Sequence, residues 1–127
     1  MKITFSDALN FREFYTTVRD RKFPLRTGYR FNCLLKALEP HYSFYQEQLT
    51  SIIEENAEKD ANGNLIRNED GNFKIPPEKI MECNEKINEL LSFEIEIEAK
   101  PLNISEIETL ELSMDKIQGI IPFITEE

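Results

Sequence analysis

Glu98-Ala99-Lys100 is the triplet of this chain whose residue types come nearest to a metal-dependent nuclease. Such enzymes set an acidic-x-Lys triplet on a core strand, where the carboxylate binds the metal and the lysine polarises water or phosphate. They also need an upstream acid on an adjacent strand. Only Asp60 and Asp70 offer themselves, and both sit in turn-forming sequence. Pro101 follows at once, and a three-residue match is common by chance. A Cys33/His41 pair has the types of a nucleophile and its base. On one helix these positions lie about 12 Å apart along the axis, beyond hydrogen-bond reach. His41 is the chain's single histidine. The stretch "KDANGNLIRNEDGNFKIP", residues 59–76, holds the oxygens of a calcium loop. Asp60, Asn62 and Asn64 fill the first ligand positions of an EF-hand, but Leu65 stands where Gly is required and Gly71 where the bidentate Glu belongs. No phosphate loop, nucleophile elbow, dinucleotide fingerprint or C-x-x-C is present. No catalytic residue, metal ligand or cofactor site is therefore assigned.

What remains is a surface. Glu94, Glu96 and Glu98 alternate in "FEIEIE". Alternate strand residues lie about 6.6–6.8 Å apart, close to the phosphate spacing along a nucleic-acid strand. Such a row suits a protein that imitates DNA, and equally a solvated strand face whose carboxylates discourage edge pairing. With Asp60, Asn64 and Asp70 of the turn stretch, these glutamates form the expected partner-binding set. The cluster Arg19, Arg21, Lys22, Arg26, Arg30 and Lys36, with Phe23 and Tyr29 interleaved, is expected to pair with acidic segments of the same chain or of a second copy. Phe11 and Phe44 are expected to add to a patch that binds a partner.

The elements that position these groups follow from periodicity. "KITF" reads as a strand with Ile3 and Phe5 on one face. Ser6 can cap a helix that turns Leu9, Phe14 and Val18 inward. A long helix starts near Thr27 and carries Phe31, Leu34, Leu35, Leu38, Tyr42, Tyr45, Leu49, Ile52 and Ile53 on one stripe. Pro40 lies within the stripe and predicts a kink. Residues 65–67 and 73–75 read as a small β-hairpin turned at Gly71, with no internal repeat in the chain. Pro77 opens a third helix with Ile80, Cys83, Ile87, Leu90 and Leu91 inward. Residues 93–98 then form a strand with Phe93, Ile95 and Ile97 buried and the glutamates wet. Ser105-x-x-Glu108 has the form of a capping box. Ser113 caps a last helix, with Met114, Ile117, Ile120 and Ile121 inward, ending near Pro122.

With 127 residues, 40% hydrophobic and 31% charged, the chain suits a single globular domain, 1–127. The net charge of −9 is uneven: the first part of the chain is basic and residues 54–127 are strongly acidic. That balance disfavours direct binding to nucleic acid and favours a basic partner surface. No apolar run is long enough for a bilayer. Ser6, Asp7 and Asn10 interrupt the place of a secretory signal. Cys33 and Cys83 read as free thiols of a reducing compartment.

From residue 22 to about 123, "FPLRTGYRFNCLLKALEPHYSFYQEQLTSIIEENAEKDANGNLIRNEDGNFKI" followed by "INELLSFEIEIEAKPLNISEIETLELSMDKIQGIIPF" resembles a group of small phage and prophage proteins. The shared pattern is helix, Lys-Asp-x-x-Gly-Asn hairpin, helix, acidic strand and final helix. The resemblance implies a phage-encoded protein in the host bacterial cytoplasm, with or without incorporation into the virion, and it carries over no catalytic residue. Together these readings predict an α+β fold: a helical hairpin with a long kinked helix, a small β-hairpin and a short sheet around residues 93–98. The expected role is a non-enzymatic protein–protein interaction module of virion or assembly, which can form homo-oligomers. The alternative is an inhibitor of a host defence or DNA-processing protein, acting through the acidic strand face.

Overall fold

The structure, a computed structural model, describes residues 1–126. It is an α+β fold with one long helix and two small two-stranded sheets. The chain divides into two compact units, Met1–Tyr42 with Phe93–Glu127, and Ser43–Ser92.

In the first unit, β1 (Lys2–Thr4) pairs antiparallel with β2 (Glu94–Glu96), setting Ile3 opposite Ile95. Ile3, Ile95 and Ile97 are buried, as their alternation requires. Helix α1 (Phe5–Val18) starts directly from the strand, two residues ahead of where a Ser6 cap would begin it. The strand holds Thr4 in extended backbone, which is the conformation of a cap. Thr4 Oγ1 accepts from the Asp7 amide at 3.1 Å, and the Asp7 carboxylate accepts from the Thr4 amide at 3.0 Å. This reciprocal capping box leaves Ser6 exposed in the first turn.

Helix α1 buries Phe5, Ala8, Phe11, Phe14 and Val18, while Leu9 is half-buried. Phe11 is fully buried and takes no part in a surface patch. Its ring lies 4.8 Å from that of Phe123, 6.0 Å from Phe14 and 6.5 Å from Phe31. It is in helical phase with Phe14 and Val18, so the same turn that buries them buries it.

Helix α2 (Leu25–Asn56) begins at Leu25, ahead of the expected Thr27, because Pro24 already accepts from the Gly28 amide at 3.1 Å. Thr27 is buried instead, and its hydroxyl donates to the Glu106 carbonyl at 3.3 Å. The helix is continuous through Pro40, which is exposed. In the first unit it buries Phe31, Leu34 and Leu38. Tyr42 fastens it to α1: its hydroxyl donates to the Ala8 carbonyl at 2.7 Å, and Arg12 lies 5.4 Å from its ring centre. Burial pushes the Tyr42 phenol up to about 12, with the Arg12 charge acting in the opposite direction.

The rest of this unit is a short α/β return. Strand β3 (Leu102–Asn103) pairs in parallel with β4 (Ile124–Thr125). Helix α4 (Ile104–Ile107) is capped by Asn103, not by a Ser105–Glu108 box. Asn103 Oδ1 accepts from the Ser105 amide at 2.9 Å and from its hydroxyl at 2.7 Å. Helix α5 (Met114–Ile120) is capped by Ser113 as expected and runs into a 3-10 turn, Ile121–Phe123. Ile120 and Phe123 are fully buried, whereas Met114 and Ile121 are exposed. The tight turn at Pro122 redirects the chain so that Phe123 takes the inward place.

The second unit joins the end of α2 to α3 (Pro77–Ser92) through residues 57–76. Pro77 opens α3 as expected, and Cys83 is its buried residue; Ile80 is exposed. The expected hairpin turned at Gly71 is present as an Arg67–Phe73 bridge, but it is the second of two equivalent turns, and the chain does contain an internal repeat. "KDANGNLI" (59–66) is followed at once by "RNEDGNFK" (67–74). In the first turn the Asp60 amide donates to the Asn64 carbonyl at 2.8 Å; in the second, Asn68 donates to Asn72 at 2.7 Å. Gly63 and Gly71 hold matching positive φ of +83° and +87°. Residues 58, 66 and 74 close a ring of backbone bonds: Glu58 donates to Lys74 at 2.7 Å, Lys74 to Ile66 at 2.8 Å and Ile66 to Glu58 at 2.9 Å. Each turn spends its backbone on itself and on this ring, so only isolated bridges, Lys59–Leu65 and Arg67–Phe73, remain of the hairpin strands.

Two glycines should respond with opposite sign to alanine. At Gly71 a Cβ meets no atom, so Gly71→Ala costs backbone strain alone, about 1–2 kcal/mol of unfolding free energy. Gly28 lies in α2 with open space around it, so Gly28→Ala stabilises by about 0.5 kcal/mol. Urea denaturation of the two variants checks the pair of signs. Tyr42 gives a pH test. The unfolded phenol ionises near pH 10, and the folded one keeps its proton up to about 12. Its contribution is therefore complete below pH 10 and is lost as pH rises through the window 10–12. Tyr42→Phe should make the fall in denaturation midpoint across that window shallower; an unchanged slope contradicts the burial argument.

Candidate binding groove

The backbone of β2 has one occupied edge and one open edge. Phe5 donates to the Phe93 carbonyl at 3.2 Å and Ile97 to the Met1 carbonyl at 2.9 Å. In an antiparallel ladder bonded pairs alternate, so Ile3 and Ile95 form the bonded pair between these two. The amides and carbonyls of Glu94 and Glu96 then point the other way. Among the described residues β1 is the only strand paired with β2, so this outer edge carries none.

Residues 96–100, with Met1 beside them, form one wall of a groove of about 770 Å³. Helix α2 supplies the other wall through Arg26, Tyr29, Arg30 and Cys33. These positions are spaced i, i+3, i+4 and i+7, one face of the helix beside the stripe that Phe31, Leu34 and Leu38 bury. The volume falls in the range of true ligand sites. Tyr29 is 65% exposed, and Leu25, one turn before it, is 91% exposed.

The groove carries both signs of charge: Arg26, Arg30 and Lys100 stand with Glu96 and Glu98. Among the described residues no carboxylate lies within 4.0 Å of Arg26, Arg30 or Lys100. The carboxylates of the strand are partly engaged: Glu96 Oε1 accepts from the Met1 amino group at 3.0 Å, and Glu94 lies 3.8 Å from Lys2 Nζ. A smaller cavity of about 230 Å³, between α1 and α5, is lined by Asp115 and by the Lys116–Glu13 ion pair at 3.0 Å.

Of the residues singled out in the sequence, Glu94, Glu96 and Glu98 are exposed on one face of the β2 segment. The strand itself is shorter than the alternation: Glu94–Glu96, with Phe93 60% exposed and stacked 5.9 Å from Phe5. Phe93 stays on the ladder, its carbonyl accepting from the Phe5 amide, but its ring at the sheet's end is left largely exposed. Asp60, Asn64 and Asp70 belong to the second unit, and the two aspartates serve its turns. Asp60 Oδ1 accepts from the amides of Asn62 at 2.8 Å and Asn64 at 3.0 Å, while Asp70 Oδ1 accepts from the Asn72 amide at 3.1 Å. Asp60 and Asn64 meet in the first turn and Asp70 stands in the second. Among the described residues no three His, Cys, Asp or Glu side chains gather as metal ligands.

The expected pairing of the basic cluster with acidic segments of the same chain does not occur among the described residues. None of Arg19, Arg21, Lys22, Arg26, Arg30 and Lys36 forms an ion pair; Arg21 donates to the Glu111 carbonyl at 3.4 Å. Composition showed the cluster. The helical spacing of Arg26, Tyr29, Arg30 and Cys33, read apart from the apolar stripe, is the signal that would have resolved it into a groove wall. Only tertiary structure brings Lys100 and the Glu96 edge opposite. Comparison with protein families, characterised proteins and solved structures finds no match for this chain.

Hydrogen exchange followed residue by residue tests the edge assignment. The Ile95 and Ile97 amides, bonded across to β1 and Met1, should exchange much more slowly than those of Glu96 and Glu98. Equal protection at all four positions would place another partner on the outer edge.

Proposed function

We propose that this chain is a non-enzymatic interaction module that holds an extended segment of a partner protein as an added strand on the outer edge of β2. The observation that carries the reading is the unpaired edge of β2, whose last residue, Glu96, also lines the groove backed by α2. Strand addition draws affinity from main-chain hydrogen bonds, and the flanking side chains select the sequence. The resemblance to small phage proteins supplies the setting, a component of the virion or its assembly. Inhibition of a DNA-processing protein through a phosphate-like row of glutamates has less support, because Glu94 and Glu96 already face cations and Glu98 shares its groove with Arg26, Arg30 and Lys100.

Glu96→Pro is the decisive variant. The Glu96 amide points outward, so proline removes a donor from the open edge without removing a bond to β1. Glu96→Gln is the control for the lost carboxylate. A partner recovered from phage-infected cells with the unaltered chain should be retained by Glu96→Gln and lost by Glu96→Pro, with circular dichroism unchanged. Undiminished capture by the proline variant would move the docking site elsewhere.

A further inference from the structure

Independently of strand capture, we propose a second interaction surface, on the second unit: two copies of this chain associate through the uncharged face of α3, helix against helix. Along α3, Ile80, Asn84, Ile87 and Leu91 follow one another in steps of 4, 3 and 4, the heptad seam of packed helices. The seam runs beside the buried Cys83 and is itself only partly covered. Ile80 is 45% exposed, Asn84 is exposed, and Ile87 and Leu91 are half-buried. The charged residues of the helix, Glu78, Lys79, Glu82, Glu85, Lys86 and Glu89, all lie more than a quarter turn from the seam's centre, at about 100° per residue.

The unit Ser43–Ser92 is short of core. Among its described residues only Tyr45, Asn56, Ala57, Pro76 and Cys83 are buried. Leu49, Ile52, Ile53, Leu65, Ile66 and Ile87 are half-buried. A unit of this size holds few apolar contacts of its own, and association of copies is one way in which such units gain the burial they lack.

Charge selects a second copy as the occupant. Residues 43–92 carry eleven Asp and Glu against five Lys and Arg, a net charge of −6. Two such units repel unless they meet where neither holds charge, and the seam is such a face. A basic partner helix would instead be drawn to the opposite side of α3, where Glu78, Glu82, Glu85 and Glu89 stand. The polar member of the seam fits the same occupant. Asn84 lies at the middle of α3 (Pro77–Ser92), so a two-fold axis across the helix centre brings it against its own copy. An amide offers both donor and acceptor, so the two asparagines satisfy each other. One asparagine in an apolar seam fixes register and oligomer state at some cost in stability. The two helices then run antiparallel, with Ile80 of one copy entering between Ile87 and Leu91 of the other.

Sedimentation velocity across about a hundredfold range of concentration tests the inference. The unaltered chain should pass from monomer to dimer, and the dimer should tighten as salt screens the two acidic units from each other. Ile80→Lys and Asn84→Asp alter exposed positions, so each should keep the circular dichroism of the unaltered chain. Each should weaken the dimer by at least about tenfold, because it sets like charges together in the seam. Met114→Lys, at a 68% exposed position of the first unit, should leave association unchanged. A chain that stays monomeric throughout overturns the proposal. So does a dimer that survives both seam variants, that separates as salt rises, or that Met114→Lys weakens as much as they do.

Discussion

The pairing of Ile3 with Ile95 is the constraint on which the first unit depends. It joins positions far apart in the chain, and the entropy of closing such a loop grows only slowly with its length. A two-stranded ribbon of this size is not stable alone. Here it is held because Ile3, Ile95 and Ile97 all lose contact with water, and because Phe5 adds one more bond to Phe93. Its consequences spread in both directions. Extended backbone at Thr4 creates the cap that starts α1. Continuation beyond Glu96 lays residues 96–100 along the face of α2 and so creates the groove.

A cluster of aromatic rings converts that ribbon into a rigid frame. Phe11 and Phe14 from α1, Phe31 from α2 and Phe123 from the end of the chain meet within 6.5 Å, and Phe23 closes on Phe31 at 5.0 Å. Such pairs contribute about 0.5–1.5 kcal/mol each beyond the area they bury. The two walls of the groove grow from this same core: Phe31 and Leu34 anchor the α2 wall, Ile95 and Ile97 the strand wall. A site held this way loses little freedom when a ligand enters, which favours affinity from a modest contact area.

Much of this could be read in the residues. Periodicity located α1, α2, α3 and α5, and alternation at 93–98 put Ile95 and Ile97 inside. Pro77 and Ser113 marked helix starts by backbone and capping chemistry that needs no tertiary context. The misses share a cause. Thr4 won over Ser6, and Asn103 over Ser105, because a preceding strand fixed the cap in extended backbone, and strand pairing is not local. Phe11 was in phase with the α1 stripe and was misread for want of its partner Phe123. The repeated turn was hidden by divergence at all but the Asn and Gly of "NGN" and "DGN", although both copies keep the same bonds. The groove was the least legible feature. Its walls come from residues 26–33 and 96–100, and nothing short of the folded core says that these face one another.

The groove is also where local chemistry and the fold disagree. Arg26 stands in the first turn of α2, which contains no acid, and a cation at that end opposes the helix dipole. One turn on, Arg30 repeats the charge. Each effect is worth only a few tenths of a kcal/mol, too little to unfold a helix of this length. Among the described Lys and Arg side chains only Lys2, Lys74, Lys86 and Lys116 have a carboxylate within 4.0 Å, so Arg26 and Arg30 share their lack of a counterion with Arg19, Arg21, Lys22 and Lys36. The positive charge is thus spread along residues 19–36 and is not peculiar to the groove.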